Sequence, residues 1–321
     1  MNNTIFVSGA SGIVGYGILK ALKKYNQDII LVGATVHEES VAPAFCHIFE
    51  KAPYTSDETY FEWLADVIKK HQVDLLIPSI ESDVFAWNQN REFFAELGVC
   101  PLLNGNRLIT LCKDKWHFYQ ELEEHNSPYA INTSLEFDSD INSFPLLLKP
   151  RRGYASQGIV VVEDTEELTK YRDEIGANLV IQPIVGNVEE EYTTSAFFDS
   201  SSTLCAHMTL RRKLSKQGFT EIAYTVELPT LPTVLQELAD IFKPVGPTNF
   251  QFRIEGEQLK LLEINPRISS ATSIRTAFGY NESQMSVEYF LYGEKPTQPE
   301  MRTGRSVRYT EDIVFYDRTD I

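Results

Sequence analysis

Asn249-Phe250-Gln251-Phe252-Arg253-Ile254, a turn at Gly256, and Leu259-Lys260-Leu261-Leu262-Glu263-Ile264-Asn265-Pro266-Arg267 together read as a β-hairpin. Successive side chains of a strand point to opposite faces. Phe250, Phe252 and Ile254 therefore join Leu262 and Ile264 on an apolar side, and Gln251, Glu263 and Asn265 share the other. With Glu255 paired to Leu259 across the loop 256–258, Gln251 falls directly opposite Glu263. A carboxylate, a carboxamide and an asparagine are hard oxygen ligands. They suit Mg²⁺ (or Mn²⁺) held jointly with phosphate groups, and they suit zinc poorly. A half-exposed hairpin with a polar outer face would explain the alternation but not the choice of these residues.

Upstream, Leu146-Leu147-Leu148-Lys149-Pro150-Arg151-Arg152-Gly153-Tyr154-Ala155-Ser156-Gln157-Gly158-Ile159-Val160 delivers a lysine on a strand, passes through a loop containing Gly153, Ser156 and Gly158, and leaves on a second strand. Such a loop can lay backbone N–H groups and a hydroxyl over a polyphosphate, with Lys149 a point charge at its base. Gly153 and Gly158 have the spacing of a Walker A loop, but Ile159 stands where that loop requires lysine. A third segment, Leu179-Val180-Ile181-Gln182-Pro183-Ile184-Val185-Gly186, is an apolar strand running into an irregular link, whose free backbone groups suit a flat base. The following Glu189-Glu190-Glu191 could hold ribose hydroxyls.

The first hundred residues alternate strand and helix signals: strands at 4–8, 28–33 and 73–78, helices at 12–25, 58–71 and 82–97. This implies a parallel sheet covered on both faces. The later part carries runs of strands with few helices, which indicates an α+β unit with antiparallel sheets. Gly9, Gly12 and Gly15 follow the first strand in the manner of a dinucleotide fingerprint. The second strand, however, ends Leu31-Val32-Gly33-Ala34-Thr35, without the acidic residue expected about 20 residues on. Close packing of a helix on the sheet is the preferred account of these glycines. Tyr16 and Lys20 make a Y-x-x-x-K pair, but on the first helix, the wrong place for dehydrogenase chemistry.

The 321 residues carry 43% hydrophobic and 23% charged side chains, the profile of a globular chain of two or three units. The formal net charge of −16 argues against a general nucleic-acid binder, though not against a nucleotide, whose binding local lysines decide. No run approaches the roughly 18 apolar residues of a membrane span. MNNTIFVSG has neither the basic nor the apolar region of a signal peptide. Cys46, Cys100, Cys112 and Cys205 are scattered, with no C-x-x-C pair, and read as reduced thiols in a cytoplasmic protein.

The order of these segments resembles the ATP-grasp superfamily, and within it a single unit of the carbamoyl-phosphate synthase large chain. Glu263-Ile264-Asn265-Pro266-Arg267, with Gln251 twelve residues before Glu263, is the most specific part of the likeness. The resemblance implies a Rossmann-like pre-ATP-grasp domain over residues 1–104, a small lobe with the phosphate loop over 105–186, and a large lobe with the metal site over 187–321. It implies that Lys115 and Lys149 contact ATP phosphates and that the loop 153–158 covers them. Gln182, Pro183, Ile184 and Val185 would form the adenine hinge, with Glu191 on the ribose. Gln251, Glu263 and Asn265 would bind magnesium, and Arg267 with Arg211 or Arg212 would face the transferred phosphoryl group. Glu81, Ser82 and Asp83, after the strand ending at Pro78, would face the substrates.

The hinge departs from the family in beginning with Gln182 rather than glutamate, and Pro183 has no N–H to offer. With one such unit, the chain is not expected to be a complete carbamoyl-phosphate synthase. The expected activity is that of an ATP-dependent carboxylate–amine ligase working through an acylphosphate. Its expected partners are small carboxylates and amines, with no nucleic acid and no membrane, and a homodimer is kept open. Two alternatives stand beside it: a split synthase-like half phosphorylating bicarbonate or carbamate with a partner chain, and a non-catalytic nucleotide-binding module.

Overall fold

The computed structural model describes residues 3–139, 141, 143–153, 158–187, 190–215 and 218–316. The first unit runs β1 (Thr4–Val7), α1 (Ile13–Tyr25), β2 (Ile30–Thr35), β3 (Ile48–Lys51), α2 (Tyr60–His71), β4 (Leu75–Ile77), α3 (Glu81–Gln89), α4 (Arg91–Glu96) and β5 (Cys100–Pro101). Its five strands form one parallel sheet in the order β3-β2-β1-β4-β5. Apolar residues such as Phe6 and Val32 face the α2 side, and Ile5 and Leu31 face the α1 side, so both faces are buried, as a parallel sheet requires. β3 and β5 are short edge strands with little apolar alternation, and the sequence reading passes over both. The single helix expected at 82–97 is two helices, broken at Asn90.

The glycines behind β1 serve packing. A Cβ on Gly15 would lie 2.3 Å from the Gly9 carbonyl oxygen, so the first turn of α1 can sit on the β1 turn only without a side chain there. Tyr16 stacks near Phe45, its ring centroid 5.4 Å away, and Lys20 lies over the same ring.

Next come α5 (Asn106–Cys112) and α6 (Lys115–Glu124), then β6 (Leu146–Pro150), β7 (Val160–Val162), α7 (Thr165–Thr169) and β8 (Leu179–Pro183). The three strands make a small antiparallel sheet in the order β7-β6-β8. The chain then enters β9 (Glu191–Phe198), β10 (Leu204–Leu214), β11 (Thr220–Val226), α8 (Leu231–Phe242), β12 (Gly246–Glu255), β13 (Gln258–Asn265), α9 (Thr272–Ala277), α10 (Glu282–Tyr292) and β14 (Arg305–Val307). Six of these elements form an antiparallel sheet in the order β13-β12-β9-β10-β11-β14. Helix α8 was not expected, although Leu231, Val234, Leu235, Leu238 and Phe242 repeat at helical spacing and all are buried.

Two packing choices place the site. Helices α5 and α6 lie on the large sheet, where Leu108, Phe118, Tyr119 and Leu122 join Phe250, Phe252 and Leu261 in one core; they do not join the small sheet that follows them. Ile268 and Val287, beyond the large sheet, are buried instead in the core of the first unit. The hairpin end is thereby held against the C-terminal ends of the parallel strands. All four cysteines are free thiols. Among the described residues no helix is long and apolar enough to cross a membrane.

Candidate active site

The hairpin differs in detail from the simple reading. Glu255 pairs with Gln258, not with Leu259, and the register shifts between Gln251 and Phe252, so that Gln251 still faces Glu263. The extra residue is Leu262. Phe252 pairs with Leu261, which is fully buried and takes the place in the apolar face that Leu262 was expected to fill. Leu262 turns toward the cleft, and its carbonyl accepts a hydrogen bond from the Tyr119 hydroxyl at 2.6 Å. A bulge leaves a backbone group outside the ladder, and α6 supplies its partner.

On the polar face, Glu263 Oε1 accepts from Gln251 Nε2 at 2.5 Å and from Asn265 Nδ2 at 2.9 Å. Arg212 Nη2 donates to Gln251 Oε1 at 2.7 Å and to Glu191 Oε1 at 2.6 Å, and Arg253 closes on Glu191 Oε2 at 3.4 Å. The expected trio is thus assembled. Among the described residues no group of three His, Cys, Asp or Glu side chains could hold a metal alone. A hard dication here fits only with phosphate oxygens completing its shell and both amides turned over, since as they stand both present N–H to Glu263 and the Gln251 oxygen is taken by Arg212.

Two cavities meet on this face. One, of about 330 Å³, lies between the small and large sheets and is lined by Lys149, Pro183, Ile184, Val185, Glu191 and Arg253, among others. The second, of about 570 Å³, lies between the large sheet and the first unit and takes in Glu81, Ser82, Arg212, Asn265, Arg267 and Ser269. Lys115, Gly153, Gln251 and Glu263 line both. The basic groups Lys115, Lys149, Arg212, Arg253 and Arg267 stand against Glu81, Glu191 and Glu263, a local excess of positive charge in a chain whose formal net charge is −16.

Lys149 is 9% exposed, and burial, only partly offset by Glu263, pushes its ammonium down to about 8. Lys115 donates to the Gly153 carbonyl at 3.1 Å, which ties α6 to the start of the loop. Asp114 caps α6 through the Trp116 N–H and pairs with Arg151 at 2.9 Å and Arg152 at 3.1 Å. Gly158 closes the loop with φ +73°, and a Cβ there would lie 2.9 Å from Pro150 Cγ. Ser156 lies outside the described residues, as do Tyr154, Ala155 and Gln157.

Three expected residues stand elsewhere. Arg211 points away from the cleft, with its guanidinium 5.2 Å from the Tyr224 ring centroid and 3.5 Å from Glu190; the period of two along β10 puts Arg212 on the site instead. Gln182 is 1% exposed, and its Nε2 donates to Thr133 Oγ1 at 2.7 Å, so the hinge meets the cavity through Pro183, Ile184 and Val185. Asp83 lines a different cavity, in the first unit; one helical residue is about 100° of rotation, so Glu81, Ser82 and Asp83 cannot all face one way. Burial pushes the Glu81 carboxyl up, against the pull of Arg267.

The sequence reading names Arg212 only as an alternative to Arg211 and passes over Arg253. Arg253 was legible, because it follows Gln251 by two and so shares its face. Beneath the site lies a buried ion pair, Arg275–Glu282 at 3.6 Å. Arg275 donates to Ser269 Oγ at 2.6 Å and to Asn249 Oδ1 at 3.2 Å, which holds the segment after Arg267 to the sheet.

The fold is that of the ATP-grasp superfamily. Residues 188–313, the large sheet and its helices, match the family described as ATP-grasp in the biosynthetic pathway with Ter operon. N5-carboxyaminoimidazole synthetase from Staphylococcus aureus, solved with ADP, superposes over 94% of this chain and 81% of its own with TM-score 0.73 at 15% identity. The biotin carboxylase domain of Hydrogenobacter thermophilus 2-oxoglutarate carboxylase, solved with MgADP, ADP and bicarbonate, gives TM-score 0.72 at 16% identity over 95% of this chain and 73% of its own. The L-amino acid ligase of Bacillus licheniformis gives 0.68 at 14% over 90% and 74%. A curated relative, the uncharacterized MG011 homolog of Mycoplasma pneumoniae, is 22% identical over 118 residues, 37% of this chain and 39% of that protein.

Proposed function

We propose that this protein is an ATP-dependent carboxylate–amine ligase that works through an acylphosphate. The observation that carries the reading is the junction of the two cavities on the Gln251–Glu263 face, where a nucleotide in one would present its terminal phosphate to an acid in the other. Pro183, Ile184 and Val185 would meet the base, and Lys115 and Lys149 the phosphates. Glu191, engaged by Arg212 and Arg253, would reach the ribose only from within that ion triad. Mg²⁺, held by Gln251, Glu263 and Asn265 together with the phosphates, would neutralise charge on the phosphate oxygens. The protein's own contribution is position and fixed charge: phosphoryl transfer asks little covalent chemistry of its enzyme. Arg267 and Arg212 face the junction and would stabilise the acylphosphate as charge develops. The amine then attacks the acyl carbon, phosphate leaves, and ADP is released.

The ADP-bound structures support the nucleotide, and the bicarbonate held by the Hydrogenobacter domain supports a second reading in which the acid is bicarbonate. A cavity of about 570 Å³ favours a larger acid. ADP release measured over a panel of carboxylates and amines, with bicarbonate and ammonia included, separates the two. No acid-dependent ADP release from folded protein would overturn both. Light scattering tests whether a homodimer forms.

A further inference from the structure

Asp83, displaced from the central cavity, lines one of about 190 Å³ in the first unit, far more than the ~10–15 Å³ that one water needs. The β1 turn, the ends of β2 and β3, and helices α2 and α3 enclose it, and Gly12 and Ile80 form the wall it shares with the central cavity. Phe6, Tyr60 and Trp63 make an aromatic side. Asp83, 2% exposed, is the acidic side. Its Oδ1 accepts from Thr55 Oγ1 at 2.6 Å and from the Tyr60 hydroxyl at 2.9 Å, and Ser8 also hydrogen-bonds the carboxyl. Tyr60 in turn accepts from Trp87 Nε1 at 3.0 Å, which commits its own proton to Asp83.

The partners are hydroxyls. Among the described residues no lysine or arginine lines the cavity, and His37 is the only other titratable group there besides Tyr60. A carboxylate so held carries its charge into a low-dielectric site without a counter-ion, and burial pushes the carboxyl up. A hard metal ion would want six or more oxygen ligands, including further carboxylates, which this wall lacks.

We propose that this cavity binds a small primary ammonium compound with a short apolar body. The ammonium has three N–H donors. One reaches the Asp83 carboxylate, and the Ser11 and Thr35 hydroxyls, 2.9 Å apart on the cavity wall, offer further acceptors. The apolar stem lies on the side lined by Phe6, Tyr60 and Trp63. Nothing in this site depends on the nucleotide or on the ligase reading.

Trp63 in the wall and Trp87 behind Tyr60 report occupancy by fluorescence. The full chain without nucleotide would be titrated with n-butylammonium chloride, at ionic strength held constant with sodium chloride. Tetramethylammonium, which has the charge but no N–H donor, is the comparison. A saturable change is expected for n-butylammonium, at least tenfold weaker for tetramethylammonium. Asp83→Asn should weaken n-butylammonium binding at least tenfold. Ala52→Phe, which fills the cavity from its rim and leaves the carboxylate in place, should abolish it, and this variant decides the matter if Asp83→Asn does not fold. No saturable change in the wild type, equal binding of the two cations, or undiminished binding in folded Ala52→Phe would overturn the site.

Discussion

Replacing Lys149 with methionine should stabilise the protein while damaging its use of ATP. The ammonium is 9% exposed in the cavity between the small and large sheets, and burial lowers its pKa from 10.5 to about 8. At about 1.4 kcal/mol for each tenfold change in proton affinity, that corresponds to roughly 3 kcal/mol against holding the charge in the folded protein. The sign follows from linkage. Below pH 8 both folded and unfolded chains carry the proton, and the folded one bears the full cost. Between about 8 and 10.5 the unfolded chain keeps the proton and the folded one releases it, so stability rises with pH, and above that window the cost is gone. Lys149→Met, similar in length and apolar, should therefore be more stable than wild type by up to about 3 kcal/mol near pH 7, with the gap closing as pH rises through the window. Urea denaturation of both proteins without nucleotide, at several pH values, measures the difference directly, and other titrating groups cancel between them. With ATP present the order should change, because phosphates favour the charged lysine: the wild type should gain stability and the variant little, with a raised KM for ATP and a lowered kcat. A variant no more stable than wild type near pH 7, or a gap that does not move with pH, would refute the reasoning.

Glu263→Gln keeps volume but removes the one carboxylate of the hairpin trio. Turnover should fall by roughly 100-fold or more with the melting temperature unchanged, as steady-state ADP release and calorimetry would show. Arg212→Met breaks a buried pair and leaves Glu191 with Arg253 alone, so it should cost about 3 kcal/mol in denaturation and most of the activity; Arg211→Met, at a half-exposed side chain facing the other way, should stay within about 0.5 kcal/mol of wild type. Mg·ATP at 100 times its Kd should stabilise the protein by about 2.7 kcal/mol, and NADH should not; a thermal shift with NADH alone would return the first-unit glycines to consideration.

The parallel and antiparallel units were legible because strand and helix periods differ and because buried strands tolerate few polar residues. The edge strands β3 and β5 were not legible, since a short edge strand needs no apolar alternation. Lys149 and the shared face of Gln251, Glu263 and Asn265 followed from strand period and spacing, whereas Lys115 and Arg267 came to the same cleft only through the family resemblance. What the spacing could not set was phase. Arg211 and Arg212 are adjacent and chemically equal, and only the pairing of Arg212 with Glu191 on one side and Ala223 on the other decides which faces the cleft. The same holds at the start of α3, where Glu81 and Asp83 enter different cavities.

The hairpin shows why a correct contact can follow from an incorrect register. The loop is one residue shorter than the sequence reading allowed, because Glu255 meets Gln258, and that alone would set Gln251 opposite Leu262 and turn Glu263 out of line with it. The bulge between Gln251 and Phe252 takes up one residue on β13 and restores the pairing of Gln251 with Glu263. Two contacts from far away in sequence meet the bulge: the Tyr119 hydroxyl donates to the Leu262 carbonyl, and the main-chain carbonyl of Tyr129 accepts from the Leu261 N–H at 2.9 Å. Tyr119 is fully buried in the core that α6 shares with the large sheet, so the helix that begins with Lys115 also reaches the bulge behind the polar face of the hairpin. Tyr119→Phe keeps the ring and removes the hydroxyl, which donates to the Leu262 carbonyl at 2.6 Å, lies 3.4 Å from the Leu261 carbonyl and also hydrogen-bonds Gln182. If the bulge depends on it, the variant should lose activity well beyond the 1–3 kcal/mol that an unsatisfied buried carbonyl costs in stability, because Glu263 would no longer face Gln251. Activity lost only in proportion to stability would show that the bulge is held by the strands themselves.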